Sequence, residues 1–510
     1  MKPVHGLERT GEQMVTTVTE VRRRFDMTFL RWQAQFDSPA FDRFVPWVIA
    51  SCFSFVLILL SLARYQDLEV SSQIGHYLQA LYLMNNGLSP FVSDLGLNVF
   101  AIQAAWILWP ISWITKVFPT AETLLILQAI ALGLGVVPLW RVAREVGNLR
   151  SGAAAALVFS YVFHPSIHNL NLAGFHPESL AIPALLAAYF SSYKSRWFIL
   201  SFLVLVVLTT RADLGLAILA LGLVLVIEEK HRPGWVLAGF GLTWFSVMAF
   251  VVQPLLGNGS YPHLVAFSHY GDGFFGVILG MLSDPLGLIK DLLDRSSFEK
   301  LLLLVGPVLF LPLVRPRYLI PLFPLVAIYL VAEVAEDGFG NPQQDVSAVV
   351  MVFIAAIWAL TRIGTQGFSR VMVDRRVLVV LILTASVFFI RDSASSPYEE
   401  TWNWGRRDSV DYARISARSW VDDEARLLVT SNIYPLVAER EEVNILRLND
   451  FSNFDKNILL ETDAVIFDES ELDLLQPEII NLENSISELG FFRYYELQGI
   501  QVWSRRTTPR

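Results

Sequence analysis

The sequence predicts an α-helical polytopic membrane protein of about eleven spans carrying a small C-terminal α/β domain, and three observations lead there. The chain has 510 residues, 54% hydrophobic and 17% charged, where soluble domains run about 45–50% apolar and about 25% charged. Its long apolar runs recur from about residue 44 to residue 390 and then stop. Charge partitions at the same place: residues 397–510 hold 22 Asp/Glu and 12 Lys/Arg, leaving the first 396 with 26 and 27. The acidic balance of the chain therefore belongs to its tail.

A helix needs about 17–25 residues to cross a hydrocarbon core. Runs that qualify, or nearly so, are 44–63, 122–142, 152–168, 177–193, 197–210, 212–228, 234–256, 299–314, 317–335, 345–363 and 376–390. A further run, 98–117, is interrupted by Asn98, Gln103 and Pro110, and is read as a re-entrant or interfacial helix or as half of a hairpin with 74–91. Short cytoplasmic connections collect Lys and Arg, and the basic ones are the N-terminus with Arg22, Arg23 and Arg24, then Arg141/Arg144/Arg150, Lys194/Arg196, Lys230/Arg232, Arg315/Arg317 and Arg370/Arg375/Arg376. They alternate with less basic connections. Eleven spans put every basic cluster inside, with residues 1–43 a cytoplasmic segment, 64–97 and 257–298 outer loops of the 44–396 membrane domain, and 397–510 extracytoplasmic. The N-terminus reads as a retained signal-anchor, because a full-length apolar run follows it.

The composition excludes other classes. No basic face with interleaved aromatics suits nucleic acid. A lone cysteine, Cys52, allows no internal disulfide framework or thiolate metal site. Walker loop, GxSxG elbow and Rossmann fingerprint are all missing, which argues against ATP-driven transport, serine hydrolysis and cytosolic nucleotide-sugar chemistry. In the tail, Arg426–Thr430, Val443–Leu448 and Ala464–Phe467 read as strands, Asp411–Trp420 and Leu472–Leu489 as helices, and Phe491–Glu496 with Gly499–Trp503 as a hairpin. It reads as a docking or lid domain.

Ionisable groups near a membrane are costly and so are functional candidates, and here they gather on the outer side. Asp67 and Glu69 follow the first span. Either could act as a general base on an acceptor hydroxyl or hold a divalent cation beside a phosphate, or the pair could be a solvated helix flank. His164, His168, His176 and Glu178 surround a turn between two spans, with Pro177 at a helix start. They could ligate a metal, pack at the interface, or hydrogen-bond a phosphate or sugar. Arg211 and Asp213 break an apolar run on the outer side, where Arg goes against topology. Its planar fork suits a lipid-linked phosphate, and the alternative is an internal ion pair at a turn. The long outer loop holds Tyr261-Pro262-His263 and His269-Tyr270, residues that could stack on a sugar or simply anchor at an interface.

Taken in order, several pieces carry a resemblance: Asp67-Leu68 with Gln73, Phe118-Pro119-Thr120-Ala121-Glu122-Thr123 leading to Gln128, Phe175-His176-Pro177-Glu178, Arg211-Ala212-Asp213-Leu214-Gly215, the Tyr270-Gly271 region, Pro312-Leu313, and the tail with Ala438-Glu439-Arg440 and Asp463-Ala464-Val465. From about residue 65 to 510 the chain resembles a family of bacterial polytopic membrane proteins known as a domain of unknown function and grouped with the GT-C type glycosyltransferases. That resemblance implies a GT-C-like fold in the cell membrane and an enzyme moving a sugar from a polyprenyl-phosphate donor to an acceptor on the outer face. Membrane lipids and the lipid-linked sugar would be its partners. Carried onto this sequence, it makes Asp67 the base with Glu69 auxiliary, Arg211 the phosphate ligand, and His176 and Glu178 the sugar or acceptor contacts; Asp213, placed to orient Arg211 or bind acceptor, and His269 and Tyr270 are further substrate-binding candidates from the residues themselves. No resident metal or cofactor is implied beyond the divalent cation just considered. The alternative is a non-catalytic carrier or scaffold for lipid-linked glycans or envelope proteins.

Overall fold

The computed structural model describes residues 37–257, 259, 261–292, 295–332, 344–367, 370–398, 405–447, 456–472 and 476–505. The segment with Arg22, Arg23 and Arg24 and most of the acidic 336–345 connection lie outside the described residues.

The first helix, Pro39–Gln66, starts where Ser38 accepts a hydrogen bond from the Phe41 amide at 3.3 Å and Pro39 occupies the first turn, the usual dress of a helix N-terminus. Among the described residues five helices are long and apolar enough to cross a membrane: Pro39–Gln66, Thr120–Val146, His231–Leu256, Pro262–Ser283 and Val346–Ile363. Shorter apolar helices include Trp197–Thr210, Leu214–Ile227 and Pro316–Val331. The eleven expected runs are thus not eleven continuous spans. The run 152–168 breaks at His164-Pro165 into Ser151–Val162 and Pro165–Leu172, because proline cannot continue the preceding ladder. The run 299–314 leaves its helix at Val305 and continues in 3₁₀ turns around Leu309 and Phe310, both at positive φ.

Two segments differ from a simple span-and-loop picture. The run 98–117 forms only Val99–Ile102 and Leu108–Thr115; eight residues rise about 12 Å, far short of a roughly 30 Å core. The expected outer loop 257–298 is instead helical, with Pro262–Tyr270, Gly273–Ser283 and Pro285–Leu292 broken at Gly271 and Asp284. Prolines open the first and third pieces, and Phe275, Leu279 and Leu282 stand exposed along the second.

The basic connections meet at one end of the bundle. Arg144, almost fully buried, grips Asp42 through Nε (2.6 Å) and Nη2 (2.8 Å) and reaches Asp37 through Nη1 (2.8 Å), while Arg370 donates to the Arg144 carbonyl and Lys194 pairs with Glu145 at 2.8 Å. The opposite end carries the C-terminal domain. There, strands β1 (Leu427–Val429), β2 (Val443–Ile445), β3 (Ala464–Asp468), β4 (Phe492–Leu497) and β5 (Ile500–Ser504) form one sheet in the order β2-β1-β3-β5-β4. β1 runs parallel to β2 and β3, and β5 is antiparallel to both β3 and β4. Alternation along the strands assigns the faces: Leu427, Val429, Ile466 and Val502 pack with Ile74, Tyr77 and Leu81 of helix Gln73–Asn85, whereas Leu428, Val465, Phe467 and Trp503 pack with Leu482 and Ile486 of Gln476–Glu488.

The edge strand β2 is closed off by the connection that follows the first helix, which supplies the hydrogen bonds an open edge lacks. Ser93 exchanges bonds with the Val443 amide (2.9 Å) and carbonyl (2.7 Å), and Asp94 accepts from the Ile445 amide (2.8 Å), Arg447 (2.7 Å) and His76 Nε2 (3.0 Å). Burial pushes the Asp94 carboxyl up, but the His76 hydrogen bond, the Ile445 amide and Arg447 outweigh it and hold it below the usual 3.8.

Two outcomes follow. A carboxylate lowered on folding stabilises above its unfolded value and loses that contribution as pH falls through the folded one. Amide exchange in Val443–Ile445 should therefore rise as the pH drops below about 4, and Asp94→Asn should show the raised exchange at neutral pH. In the helix pair Leu214–Ile227 and His231–Val247, a Cβ on Gly222 would run into the Ala238 and Gly234 backbones, while Gly239 has nothing within 4 Å. Close backbone approach of this kind relies on small residues. Gly222→Ala should lower the melting point in detergent, at a cost of about 1–3 kcal/mol, and Gly239→Ala should not.

Candidate functional site

Two breaks in the helical backbone build the site. Helix Trp197–Thr210 ends as Thr209 and Thr210 turn their hydroxyls back to the Val206 and Val207 carbonyls (2.9 and 2.7 Å), and Arg211 goes extended. Side-chain bonds of this type compete with the helix ladder. The second break, residues 103–107, lies alongside. Its Gln103 carbonyl accepts from the Ala212 amide at 3.0 Å, and its Ile107 amide donates to the Thr209 carbonyl at 2.9 Å. Irregular backbone at membrane depth is tolerated where protein satisfies it or where it lines a cavity, and both conditions hold. The exposed Ile102 carbonyl is met by Gln253 Nε2 (2.8 Å) and by His263 Nε2 (2.7 Å), which donates.

Between these breaks and the 262–283 helices lies a cavity of about 290 Å³. Its floor is polar: Gln103, Arg211, Asp213, Gln253, His263 and Tyr329 all line it. Its walls are apolar and reach the protein surface at Phe250, Phe274 and Ile278. Arg211, 7% exposed, donates to Asp213 in bidentate fashion (Nε 2.6 Å, Nη2 2.9 Å), to Glu178 Oε1 (3.1 Å), to the Tyr329 hydroxyl (2.7 Å) and to Gln344 Oε1 (2.6 Å). Tyr329 in turn donates to Asp213. Behind the guanidinium, Glu178 is fully buried with Oε2 unpartnered, and His176, 3.8 Å from Glu178 Oε1, has neither ring nitrogen hydrogen-bonded to protein. Tyr77 closes this side, its hydroxyl donating to Gln103 Oε1 at 2.5 Å and its ring edge-on to Phe175 at 5.3 Å.

The turn carrying His176 is fixed by Gln128. Its amide nitrogen donates to the carbonyls of Leu170 (3.0 Å), Asn171 (3.4 Å) and Gly174 (2.6 Å), and its oxygen accepts from the His176 amide at 2.8 Å. Gly174 stands at φ +116, a conformation that side chains resist.

Of the residues singled out in the sequence, Arg211, Asp213, Glu178 and His176 come together here. Asp67 and Glu69 are not among the lining residues. Asp67 caps the end of the first helix, is 6% exposed, and accepts from the Gly405 amide through Oδ2, beside Arg407, which donates to the Gln66 carbonyl at 2.8 Å. It faces the C-terminal domain: burial and then the charges of Asp408 and Asp67 push Asp411 up, against its hydrogen bond to the Asp408 amide and the pull of Arg414. Glu69 is exposed, and its carbonyl accepts from Arg64. The His269 and Tyr270 rings meet at a tilt with centroids 4.0 Å apart, and Tyr270 donates to Asp291 at 2.5 Å, also away from the lining. The polar residues of this loop that do reach the cavity are Tyr261 and His263.

His164 and His168 are engaged at both ring nitrogens. His164 donates to the Leu304 carbonyl and accepts from the Ser166 amide, while His168 donates to the Val162 carbonyl and accepts from Ser395. Each pattern satisfies one neutral tautomer and leaves no lone pair for a metal. Among the described residues no group of three or more His, Cys, Asp or Glu could hold a metal ion. Gln103, Gln253 and Tyr329 carried no sequence signal of their own beyond being polar in apolar surroundings, and Gln344 lies in a polar connection that gave none.

This is a membrane-embedded helical protein with a charged, laterally reachable cavity at one end. Residues 64–495 match the family model described as "Predicted membrane protein (DUF2079)", and the chain belongs to that family. No curated protein matches it in sequence. Among solved structures it is similar to the crystal structure of ArnT from Cupriavidus metallidurans in the apo state, with 13% identity and a TM-score of 0.41 over 90% of this chain and 97% of that one. Similarity of that degree carries no functional argument.

Gln128→Leu keeps the size and removes every bond to the 170–176 turn. The stranded buried groups should cost about 1–3 kcal/mol each, read as a lowered melting point in detergent, whereas substitution of the exposed Glu69 by Gln should leave it unchanged.

Proposed function

We propose that the protein is a membrane transferase that takes a sugar from a polyprenyl-phosphate donor held in the Arg211 cavity and passes it to an acceptor hydroxyl at that end of the bundle. The observation that carries this reading is the pairing of an apolar, surface-reaching wall with a floor that holds a buried guanidinium and a carboxylate. A prenyl chain suits Phe250, Phe274 and Ile278, and a phosphate suits the face that Arg211 and His263 present to the cavity. The cavity lies opposite the basic end of the bundle, and the positive-inside tendency puts that basic end in the cytoplasm, so the reaction would occur on the outer side.

In the step proposed, the bond between the anomeric carbon and the phosphate oxygen breaks as the acceptor oxygen bonds to that carbon. The acceptor proton passes to the Asp213 carboxylate, and polyprenyl phosphate departs beside Arg211, whose fixed positive charge stabilises the leaving group. This reading gives the base to Asp213, which lines the cavity, rather than to Asp67. Glu178 lies behind Arg211 and holds it toward the cavity, with His176 beside Glu178. No divalent cation is needed where the guanidinium meets the phosphate.

One observation favours a second reading, a non-catalytic carrier or scaffold for lipid-linked glycans. Arg211 already has four protein acceptors, and a guanidinium so occupied can serve as a structural corner.

The test uses the full chain in nanodiscs containing polyprenyl-phosphate-linked labelled hexose with a soluble acceptor sugar. Wild type should release free polyprenyl phosphate. Asp213→Asn should slow that release by about 10²-fold or more per folded protein while retaining the lipid, with a lowered melting point because the buried Arg211 loses a charged partner, and Arg211→Lys should weaken retention because Lys lacks the bidentate fork. Unchanged turnover in Asp213→Asn would remove the base; lipid retained by wild type without turnover would establish the carrier reading.

A further inference from the structure

We propose that a second groove, separate from the Arg211 cavity, binds an anionic glycerophospholipid, with its phosphate between Arg141 and Arg196 and one acyl chain lying along the bundle. The groove has a volume of about 520 Å³ and is formed by the first helix at Trp47, the 120–146 helix, Ala181–Tyr193 and Trp197–Thr210. It shares no lining residue with the Arg211 cavity. Small or ring-closed residues, Ala131, Pro138, Pro183, Ala184 and Ala187, leave the space between the helices.

Polarity within the groove is one-ended. From Leu127 to Val137 and from Leu180 to Ala187 the lining is apolar, and the charged groups, Arg141 and Arg196, stand together with Ser191 where the groove reaches the basic end of the bundle. Fourteen residues of helix separate Leu127 from Arg141, a rise of about 21 Å. One leaflet of hydrocarbon is about 15 Å deep, half of a roughly 30 Å core, so a chain from that leaflet fits along the groove.

The side chains of Arg141 and Arg196 make no hydrogen bond or ion pair with protein among the described residues. Three carboxylates at this end are held by other cations: Glu145 pairs with Lys194 at 2.8 Å, and Asp37 and Asp42 are held by Arg144. Helix Trp197–Thr210 begins directly after Arg196 with no side chain capping it, and the uncapped amides of a first turn add positive potential at the same place. A topological bias toward positive connections would put arginines in these loops, but it does not require two unpartnered ones to flank the mouth of an apolar groove. Two guanidiniums favour a headgroup with net negative charge and repel the ammonium of a zwitterionic one.

The test is native mass spectrometry of the full chain taken from nanodiscs of equal phosphatidylglycerol and phosphatidylethanolamine. Wild type should keep phosphatidylglycerol in several-fold excess over phosphatidylethanolamine. The double variant Arg141→Gln, Arg196→Gln should lose that excess with an unchanged melting point. Ala184→Trp, which fills the groove and leaves both arginines in place, should lose the bound lipid altogether. Should the double variant fail to fold, Arg196→Gln alone serves, since that side chain is exposed. Equal retention of the two lipids by wild type, or an undiminished excess in the arginine variants, would overturn the proposal, and so would displacement of phosphatidylglycerol by equimolar polyprenyl phosphate. The Arg211 cavity is untouched by these variants, so transferase activity and lipid retention here can fail independently.

Discussion

A guanidinium withdrawn from water between membrane helices must be matched by acceptors at every donor it presents, and Arg211 sets that demand at the centre of this protein. Transfer of an isolated charge into low dielectric costs far more than any fold can offset, so a buried ion persists only with good partners. Asp213 supplies one from its own turn; Glu178, Tyr329 and Gln344 supply the others from three further parts of the chain. Satisfying one side chain thereby fixes the relative positions of the 177–180 turn, the 210–213 corner and the helix containing Tyr329. The floor of the cavity is a by-product of that arrangement, as is the break in the Trp197–Thr210 and Leu214–Ile227 run.

The same requirement operates on the backbone. The breaks at 103–107 and 209–212 would each strand amides and carbonyls at membrane depth, and each provides what the other lacks. Gln253 and His263 complete the exchange at Ile102. The helices after Pro262 are consequently tied to the 98–117 segment by a polar contact and enclose the cavity with an apolar side. At the far end of the bundle a different solution holds: Arg144 gathers Asp37 and Asp42 into one ion-paired staple, and the side chains of Arg141 and Arg196 have no ion-pair partner among the described residues. One end thus binds its charges internally around a cavity, and the other presents unpaired cations beside an apolar groove.

Much of this was legible in the residues. Arg211 stood out because arginine opposed the charge bias of its side of the membrane, and His176 and Glu178 stood out as polar groups at a turn between apolar runs. All three meet in the structure. Asp67 had the same kind of signal, a carboxylate just past a span, yet it caps a helix and faces the C-terminal domain. Position along the chain says which end of the bundle a residue occupies but not which neighbour it faces around that end. His269 and Tyr270 illustrate the point within one loop: Tyr261 and His263, a few residues earlier, are the ones that reach the cavity. Gln128 was part of a recognisable sequence pattern, and its work, four hydrogen bonds to one turn, became visible only with that turn in place.

The sequence by itself determined the apolar runs, their alternating basic connections, the β-rich segments of the tail and the residue types that would be expensive to bury, because hydropathy and periodicity are local properties of the chain. The tertiary structure decided which runs stay continuous, that the 262–283 segment becomes helical, that the tail's edge strand is completed by Ser93 and Asp94, and which carboxylate shares a cavity with Arg211. Those outcomes depend on hydrogen-bond and ion-pair partners that are often more than a hundred residues away, and a local pattern contains no information about which distant group will satisfy a buried donor.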